Sequence, residues 1–374
     1  AAAAYGGIPV THRDYASSLH IVTGHAREGA ELDIDFEALV RTGGTLLFLM
    51  GVTALPAIAE GLLEAGMDPD TPAAMVERGT LPGQRRCSAT LGTLQSRAEE
   101  MEIHSPALII VGGVCALAEA LCWFERLPLH GKRLLVTRPK GRAGTLSEKL
   151  RALGADAVEF PCIRTEAISP CPAMEAALDQ LTEYEWLGFT SAAGVDAFWT
   201  CLRDMGKDAR ALGGVKLAAI GPATGKALET HGLTADLIPA VCNAAHMGGA
   251  LAETAAGRVL LLRAEEGSPA LTDALAAAGV PYDDIAVYRT IYDNPRSLAL
   301  REELEAGRFD YVTFTSASTV KGFVSAIGED ADFSRFTGLC IGKQTAGEAE
   351  KHHISVKTAG KATIDALVEL ALEK

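Results

Sequence analysis

The chain is poor in aromatic residues, 6% of its 374 positions, and short of positive charge. Its 34 lysines and arginines stand against 48 aspartates and glutamates, a formal net charge of −14. It lacks the basic footprint by which proteins hold nucleic acid or anionic membranes, so no nucleic-acid partner is expected, and an anionic ligand must find a local basic patch. The eight cysteines (Cys87, Cys115, Cys122, Cys162, Cys171, Cys201, Cys242, Cys340) form no Cys-x-x-Cys pair and have no neighbouring histidine pair to complete a metal site. They read as reduced, small apolar core fillers, which suits a cytoplasmic chain. Also missing are the GxxxxGK[ST] phosphate loop, the HExxH pair, the GxSxG elbow and a GxGxxG after a strand, so neither a metal nor a nucleotide cofactor is signalled. The most apolar stretch, Pro106 to Phe124, carries Glu119 and a Gly112-Gly113 break; it reads as a buried strand, a turn and a helix, and no membrane span is expected. The opening residues, Ala1 to Gly7, show no initiator Met, basic segment or cleavage pattern, so the start is expected to be cut from a longer product or to have its true beginning upstream.

What is present is globular: 48% hydrophobic and 22% charged residues, with 38 Gly and 16 Pro, on a chain long enough for two to three domains. The first part alternates α and β. A strand (Leu46 to Met50), a Gly51-Val52-Thr53 turn and an amphipathic helix (Leu55 to Ala65) ending at Gly66 come first. A strand at Ala73 to Val76, a loop over Arg78 to Gly83, a helix near Leu91 to Met101 and a strand at Leu108 to Val111 follow. The short polar segment Arg126-Leu127-Pro128-Leu129-His130-Gly131-Lys132 marks a domain boundary.

Beyond it lies an internal repeat. Arg138, Gly154 and Arg164 recur as Arg263, Gly279 and Arg289, each 125 residues on, and Phe189-Thr190-Ser191-Ala192 recurs at the same offset as Phe314-Thr315-Ser316-Ala317. Ile220-Gly221 with Thr224 recurs 121 residues on as Ile341-Gly342 with Thr345. Two α/β units are implied. In each, an apolar strand runs into a Thr-Ser or Gly turn that opens a helix, placing backbone N–H groups at strand ends, where open parallel sheets bind ligands and helix N-termini favour anions. The expected site is a cleft between the two units. The plainer reading is that Thr-Ser-Ala is an N-cap of a structural helix.

Arg138, Lys140, Arg142, Arg164, Arg263, Arg289 and Lys321 supply cations near expected strand ends, as a polycarboxylate would need; taken singly, each reads first as solvated surface. Arg138 and Arg263 are favoured because both end a buried strand. Tyr288 closes the run Ile285-Ala286-Val287, where a phenol could donate a proton to a leaving oxygen or simply pack in the core. His352-His353 reads as solvated turn, not a ligand pair.

Val136-Thr137-Arg138-Pro139, Glu159-Phe160-Pro161, Phe189-Thr190-Ser191-Ala192, Ala219-Ile220-Gly221-Pro222-Ala223-Thr224, Val287-Tyr288-Arg289-Thr290 and Phe314-Thr315-Ser316-Ala317-Ser318 together resemble uroporphyrinogen-III synthase, from about Gly131 to the C-terminus. The resemblance implies two flavodoxin-like parallel-sheet α/β lobes joined by a two-stranded ladder. Lobe one would combine 131–162 with 293–374, and lobe two would be 167–286, within a synthase part of 127–374. It further implies a reaction without cofactor: hydroxymethylbilane loses water, closes and inverts its last pyrrole ring to give uroporphyrinogen III. Tyr288 then matches the tyrosine proposed to assist departure of the hydroxyl. Arg138 and Arg263, with Thr190, Ser191, Thr224, Thr315, Ser316 and Thr345 at polar turns facing the cleft, would bind the substrate's eight carboxylates. Lys343 stands where the first repeat has Pro222, a departure within that turn.

Residues 1–126 resemble the C-terminal half of uroporphyrinogen-III methyltransferase. The match rests on Tyr5-Gly6-Gly7-Ile8-Pro9-Val10-Thr11-His12-Arg13, Val22-Thr23-Gly24-His25, Phe48-Leu49-Met50-Gly51, Arg78-Gly79-Thr80 with Gln84-Arg85, and Gly92-Thr93-Leu94. The resemblance implies S-adenosylmethionine as cofactor of the intact family, with Met50 and Gly79 at positions that contact it. The family's glycine-rich loop and first catalytic half have no counterpart in this sequence. The chain is therefore expected not to methylate, and to expose an apolar face that favours a dimer or aggregation. The fold expected overall is α/β, a truncated methylase-like domain followed by the bilobal synthase. A two-lobed module that binds an anionic solute without catalysis is the competing reading, and a docking role for the N-terminal part is a third.

Overall fold

The computed structural model describes residues 1–25, 32–139, 144–292 and 297–373, and builds three five-stranded sheets. The first takes Leu19–Thr23 (β1), Thr45–Leu49 (β2), Pro72–Glu77 (β3), Arg85–Thr90 (β4) and Ala107–Val111 (β5) in the order β1-β2-β5-β3-β4. Helices Ala2–Tyr5 (α1), Phe36–Thr42 (α2), Leu55–Glu64 (α3) and Leu94–Glu100 (α4) accompany it. Period-two alternation along β2 sends Leu46 and Phe48 toward α3 and α4, and Leu47 toward the Ile8 and Val114 side. Covered on both faces, the strand reads as one apolar run.

Two expectations change here. The Arg85–Thr90 strand, in the stretch left between the expected loop and helix, was not anticipated; it is an edge strand whose one fully buried side chain is Cys87. In Pro106 to Phe124, the strand and the turn (Gly112, φ +140°) are present, but the helix is only a short 3-10 helix over Gly113–Leu117. Among the described residues no helix is long and apolar enough to cross a membrane. The cysteine-filler reading holds for six of the eight; Cys201 is half-buried and Cys242 exposed.

The segment expected as a boundary is packed at both ends. The Arg86 guanidinium donates to the carbonyls of Gly6 (2.9 Å) and Ala118 (2.6 Å), and buried Gln84 donates to the Tyr5 carbonyl and to Glu125. Tyr5 stacks edgewise on Trp123 and Phe124, Phe124 on His130, and Leu129 enters the core of Leu134, Val136 and Leu150.

The chain continues as Arg133–Val136 (β6), Gly144–Ala152 (α5), Asp156–Glu159 (β7), Arg164–Ala167 (β8), Pro172–Asp179 (α6), Tyr184–Phe189 (β9), Ala192–Asp204 (α7), Lys216–Ala219 (β10), Pro222–Glu229 (α8), Ala244–Thr254 (α9) and Arg258–Ala264 (β11). Pro269–Ala277 (α10), Tyr282–Ile291 (β12), Leu298–Glu305 (α11), Tyr311–Phe314 (β13), Ala317–Ile327 (α12), Thr337–Cys340 (β14), Lys343–Lys351 (α13), Ser355–Thr358 (β15) and Ile364–Leu372 (α14) complete it. One sheet is ordered β10-β9-β11-β12-β8, parallel except for β8; the other is β15-β14-β13-β6-β7, parallel throughout.

The repeat explains this order. At its own offset, β6 answers to β11, β7 to β12, β9 to β13 and β10 to β14, so each sheet draws three strands from one copy and two from the other. The same aromatic pair sits in both cores, Phe189 on Phe198 and Phe314 on Phe323, each 5.4 Å between centroids. The chain crosses between the sheets twice, beside an antiparallel ladder that pairs Tyr288–Ile291 with Arg164–Ala167. That sheet therefore runs from Arg164 to Ile291, wider than the 167–286 expected for the lobe.

At one crossing, α12 lies directly on the chain. A Cβ on Gly322 would stand 2.5 Å from the Cys162 carbonyl oxygen and 2.5 Å from the Ile163 side chain. Gly322→Ala is expected to destabilise the protein by about 1–3 kcal/mol through overpacking, read as a lower urea midpoint. An unchanged midpoint would mean that the crossing yields without strain.

Candidate functional site

In both sheets the parallel strands end in turns that open helices. Phe189 leads into Thr190-Ser191 and α7, and the Ser191 Oγ accepts from the Gly194 N–H at 3.0 Å. Phe314 leads into Thr315-Ser316 and α12, where Ser316 and Thr319 form a reciprocal capping box, each hydroxyl accepting the other's N–H at 3.2 Å. The N-cap reading is thus correct for both serine side chains. A cap satisfies only part of a helix's first turn, and the other N–H groups still point along the axis toward whatever lies beyond the strand ends. Thr190 and Thr315, just before the caps, are half-buried.

The Gly221 and Gly342 turns open α8 and α13 without a side-chain cap. Thr224 and Thr345, at the third helical position, are each only 4% exposed, so their hydroxyls lie within the helix packing. Exposed Cys242 stands over the first of these turns, where a Cβ on Gly221 would meet its Sγ at 3.1 Å.

The cations divide. Arg138 is half-buried and directly follows Thr137, which donates to the Thr313 carbonyl at 2.6 Å and so pins the end of β6 to β13. Arg263 is 8% exposed and clamped onto Asp284 through two hydrogen bonds of 2.6 and 2.5 Å, while its Nη1 donates to the Ser268 carbonyl at 2.6 Å. The bond to the carboxylate raises its pKa above the ordinary guanidinium value against the opposing effect of burial. This corrects the expectation for Arg263: with its fork filled, it braces the loop after β11 instead of offering an open cation. Arg164 pairs with Glu166 on its own strand at 2.8 Å, and Arg289 reaches the same carboxylate across the ladder at 3.7 Å. Lys321 is exposed on α12, within electrostatic reach of Glu348. Lys140 and Arg142 lie outside the described residues.

Tyr288 sits on β12 opposite Ala264, 9% exposed among Phe189, Phe198 and Leu262, and its carbonyl accepts the Glu265 N–H at 2.9 Å. It shares the carboxyl end of its sheet with Thr190-Ser191 and the Gly221 turn; Arg138, Thr315-Ser316 and the Gly342 turn share that of the other. The two sheets meet at a residue the sequence reading missed. The Tyr292 hydroxyl donates to Glu266, on the loop after β11, at 3.4 Å, while its ring packs against the core that holds Phe314 and Phe323. Burial pushes this phenol's pKa up, and Ser318, in the first turn of α12, is near enough to oppose the shift.

In the first sheet, β2 and β3 both flank β5 and run the same way, so Met50 and Gly79 stand at one edge. Met50 holds a left-handed backbone (φ +57°) and is 63% exposed, and Arg78 and Thr80 beside Gly79 are also left-handed. The space where Gly79 would carry a Cβ is filled by Ala2, 2.6 Å away.

Residues 144–369 match the family described as Uroporphyrinogen-III synthase HemD, and residues 1–95 match Tetrapyrrole (Corrin/Porphyrin) Methylases. The Porphyrin biosynthesis protein HemD of Ruminiclostridium josui is 44% identical over 375 residues, covering 100% of this chain and 74% of that protein. The chain belongs to the uroporphyrinogen-III synthase family. The synthase-family match is joined by partial ones. The Uroporphyrinogen-III C-methyltransferase of Bacillus subtilis is 36% identical over 62% of this chain and 47% of that protein. The Siroheme synthase of Stutzerimonas stutzeri is 45% identical over 35% of this chain and 28% of its own length. An N-terminal tetrapyrrole methylase domain thus precedes the synthase domain.

Within the synthase domain, Arg263→Gln is expected to cost about 1–3 kcal/mol of stability, since it strands Asp284, whose side chain is 32% exposed and only partly rescued by water. Urea unfolding reads this directly. Wild-type stability would mean that Arg263 does not brace the loop.

Proposed function

We propose that this chain cyclises hydroxymethylbilane to uroporphyrinogen III, with loss of water and inversion of the last pyrrole ring. The observation that carries the reading is the family match, in a molecule whose two parallel sheets both end in polar turns and helix N-termini. The substrate's eight carboxylates need many donors, and first-turn N–H groups of α7 and α12, with Thr190, Thr315 and Arg138, offer them without a metal. Ser191 and Ser316 shape those turns as caps, and buried Thr224 and Thr345 hold the neighbouring ones.

Departure of hydroxide leaves an electron-poor azafulvene, which the pyrrole nitrogens help to generate, so the protein's task is to fold the linear chain and prevent uninverted closure. The phenol of Tyr288 donates a proton toward the leaving oxygen in this reading, and the departing group becomes water. The molecule has no need of a strong acid, which fits its distributed polar groups.

For the N-terminal domain, the intact methylase family's cofactor is S-adenosylmethionine. Met50 offers it an open position, but the Cβ side of Gly79 is occupied by Ala2, and these two residues do not by themselves build a nucleotide site. We derive no methyl-transfer step, and the chain alone is not expected to methylate uroporphyrinogen III. A cytoplasmic location, and self-association through exposed Ile21, Leu49 and Met50, belong to the same proposal.

Chromatographic isomer analysis after incubation with hydroxymethylbilane, with and without S-adenosylmethionine, tests both halves. Type III product without methylation is expected; type I product alone, at the uncatalysed rate, would overturn the synthase reading. Tyr288→Phe should lower turnover about 10-fold to 100-fold without abolishing it, since positioning supplies the rest. A wild-type rate would remove the phenol from the mechanism.

A further inference from the structure

Tyr292 follows the last residue of β12, where the chain leaves one sheet for the other. Its ring packs against the core of Leu135, Phe314 and Phe323, so by packing it belongs to the lobe of β6 and β13. Its hydroxyl reaches across to Glu266, 3.4 Å away, on the loop after β11 in the other lobe.

That loop is braced on both sides. The Glu265 N–H donates to the Tyr288 carbonyl, and Arg263, locked on Asp284, holds the Ser268 carbonyl. Gly267 lies so close over the guanidinium that a Cβ there would come 2.5 Å from Nη1. Glu266 therefore stands between anchored neighbours and cannot follow Tyr292 if the lobes separate. On the other side, the ring is packed with Phe314 of β13 and Phe323 of α12, the strand and helix that the Thr315-Ser316 turn joins. One phenol thus links the strand-end region of one sheet to that of the other.

We propose that Tyr292 is a positioning residue: with its ring packed beside β13 and α12 and its hydroxyl on the Glu266 loop, it holds the two groups of strand-end donors at the spacing a folded linear tetrapyrrole requires. The proposal rests on the synthase reading above. Its consequence is fidelity. With the lobes untied, the bound chain is held less closely and uninverted closure competes. At 3.4 Å the bond to Glu266 is long, so a severalfold change and not a loss of activity is expected.

The test compares the full chain with Tyr292→Phe, Glu266→Ala and the double variant, all incubated with hydroxymethylbilane. Tyr292→Phe should raise the type I fraction and KM about threefold to tenfold, with kcat changed less than about twofold. The double variant should be no worse than Tyr292→Phe alone, as partners in one contact require. Amide exchange over 264–268 and 316–319 should quicken about threefold or more in Tyr292→Phe, a readout that needs no turnover. Unchanged isomer ratio and exchange, or single effects that multiply in the double variant, would overturn the proposal. If the wild type makes no type III product, the synthase reading fails and the exchange measurement alone decides whether Tyr292 couples the lobes. Should Tyr292→Phe not fold, Glu266→Ala and Glu266→Gln carry the same comparison from the other end of the contact.

Discussion

The C-terminal two thirds of the molecule hang on the parallel pairing of β6 with β13, which sets Tyr311 beside Leu134, Val312 beside Leu135 and Thr313 beside Val136. It joins residues more than a lobe apart in sequence. The ends of the pair are tied down: Asp310 takes the Arg133 N–H at 2.9 Å and the Lys132 ammonium at 2.6 Å, and Thr137 donates to the Thr313 carbonyl. Since closure entropy rises only slowly with loop length, inserting a whole second lobe between these strands adds little to the cost. Once β6 and β13 are neighbours, the chain must leave after β7 and return after β12, and the ladder of β8 and β12 is where it does so.

That crossing decides which turns share a sheet. Each sheet on its own offers an ordinary row of helix N-termini beyond its strands. Sharing strands between the two copies of the repeat brings the loop after β11 to Tyr292, whose ring belongs to the core of the other sheet. The residues that shape the site therefore fall into three groups. Backbone donors lie at the turns, Ser191 and Ser316 hold those turns as caps, and Arg263 with Asp284 stiffens a loop beside them. A polyanion bound among such groups meets many modest donors, which suits a reaction whose difficulty lies in folding the substrate more than in breaking its bond.

The N-terminal domain is tied to this assembly through side chains, not a loose tether. Arg86 and Gln84 gather the first residues and the segment after Ala118, and Phe124 carries the contact on to His130 and the core around Leu129. The Pro/Gly-containing stretch after Trp123 is thus a junction with a packed interior, despite its loop-like composition.

Local and periodic features were legible in the sequence itself. Buried parallel strands wrote themselves as continuous apolar runs such as Leu134 to Val136 and Val259 to Leu262. The repeat showed as a constant offset, and Ser191 and Ser316 stood where an N-cap must stand, because each signal depends only on neighbours along the chain. The family resemblance was legible for the same reason, as an ordered set of strand-end turns. Partners distant in sequence were not legible: Asp284 lies 21 positions from the Arg263 it occupies, and Glu266 lies 26 from Tyr292. β4 escaped because an edge strand with one buried side chain has no apolar pattern to show. Tertiary structure alone decided which half of each repeat shares a sheet with which, and hence which turns stand side by side, because strand pairing is a contest among all strands for the same hydrogen bonds and no single segment records its outcome.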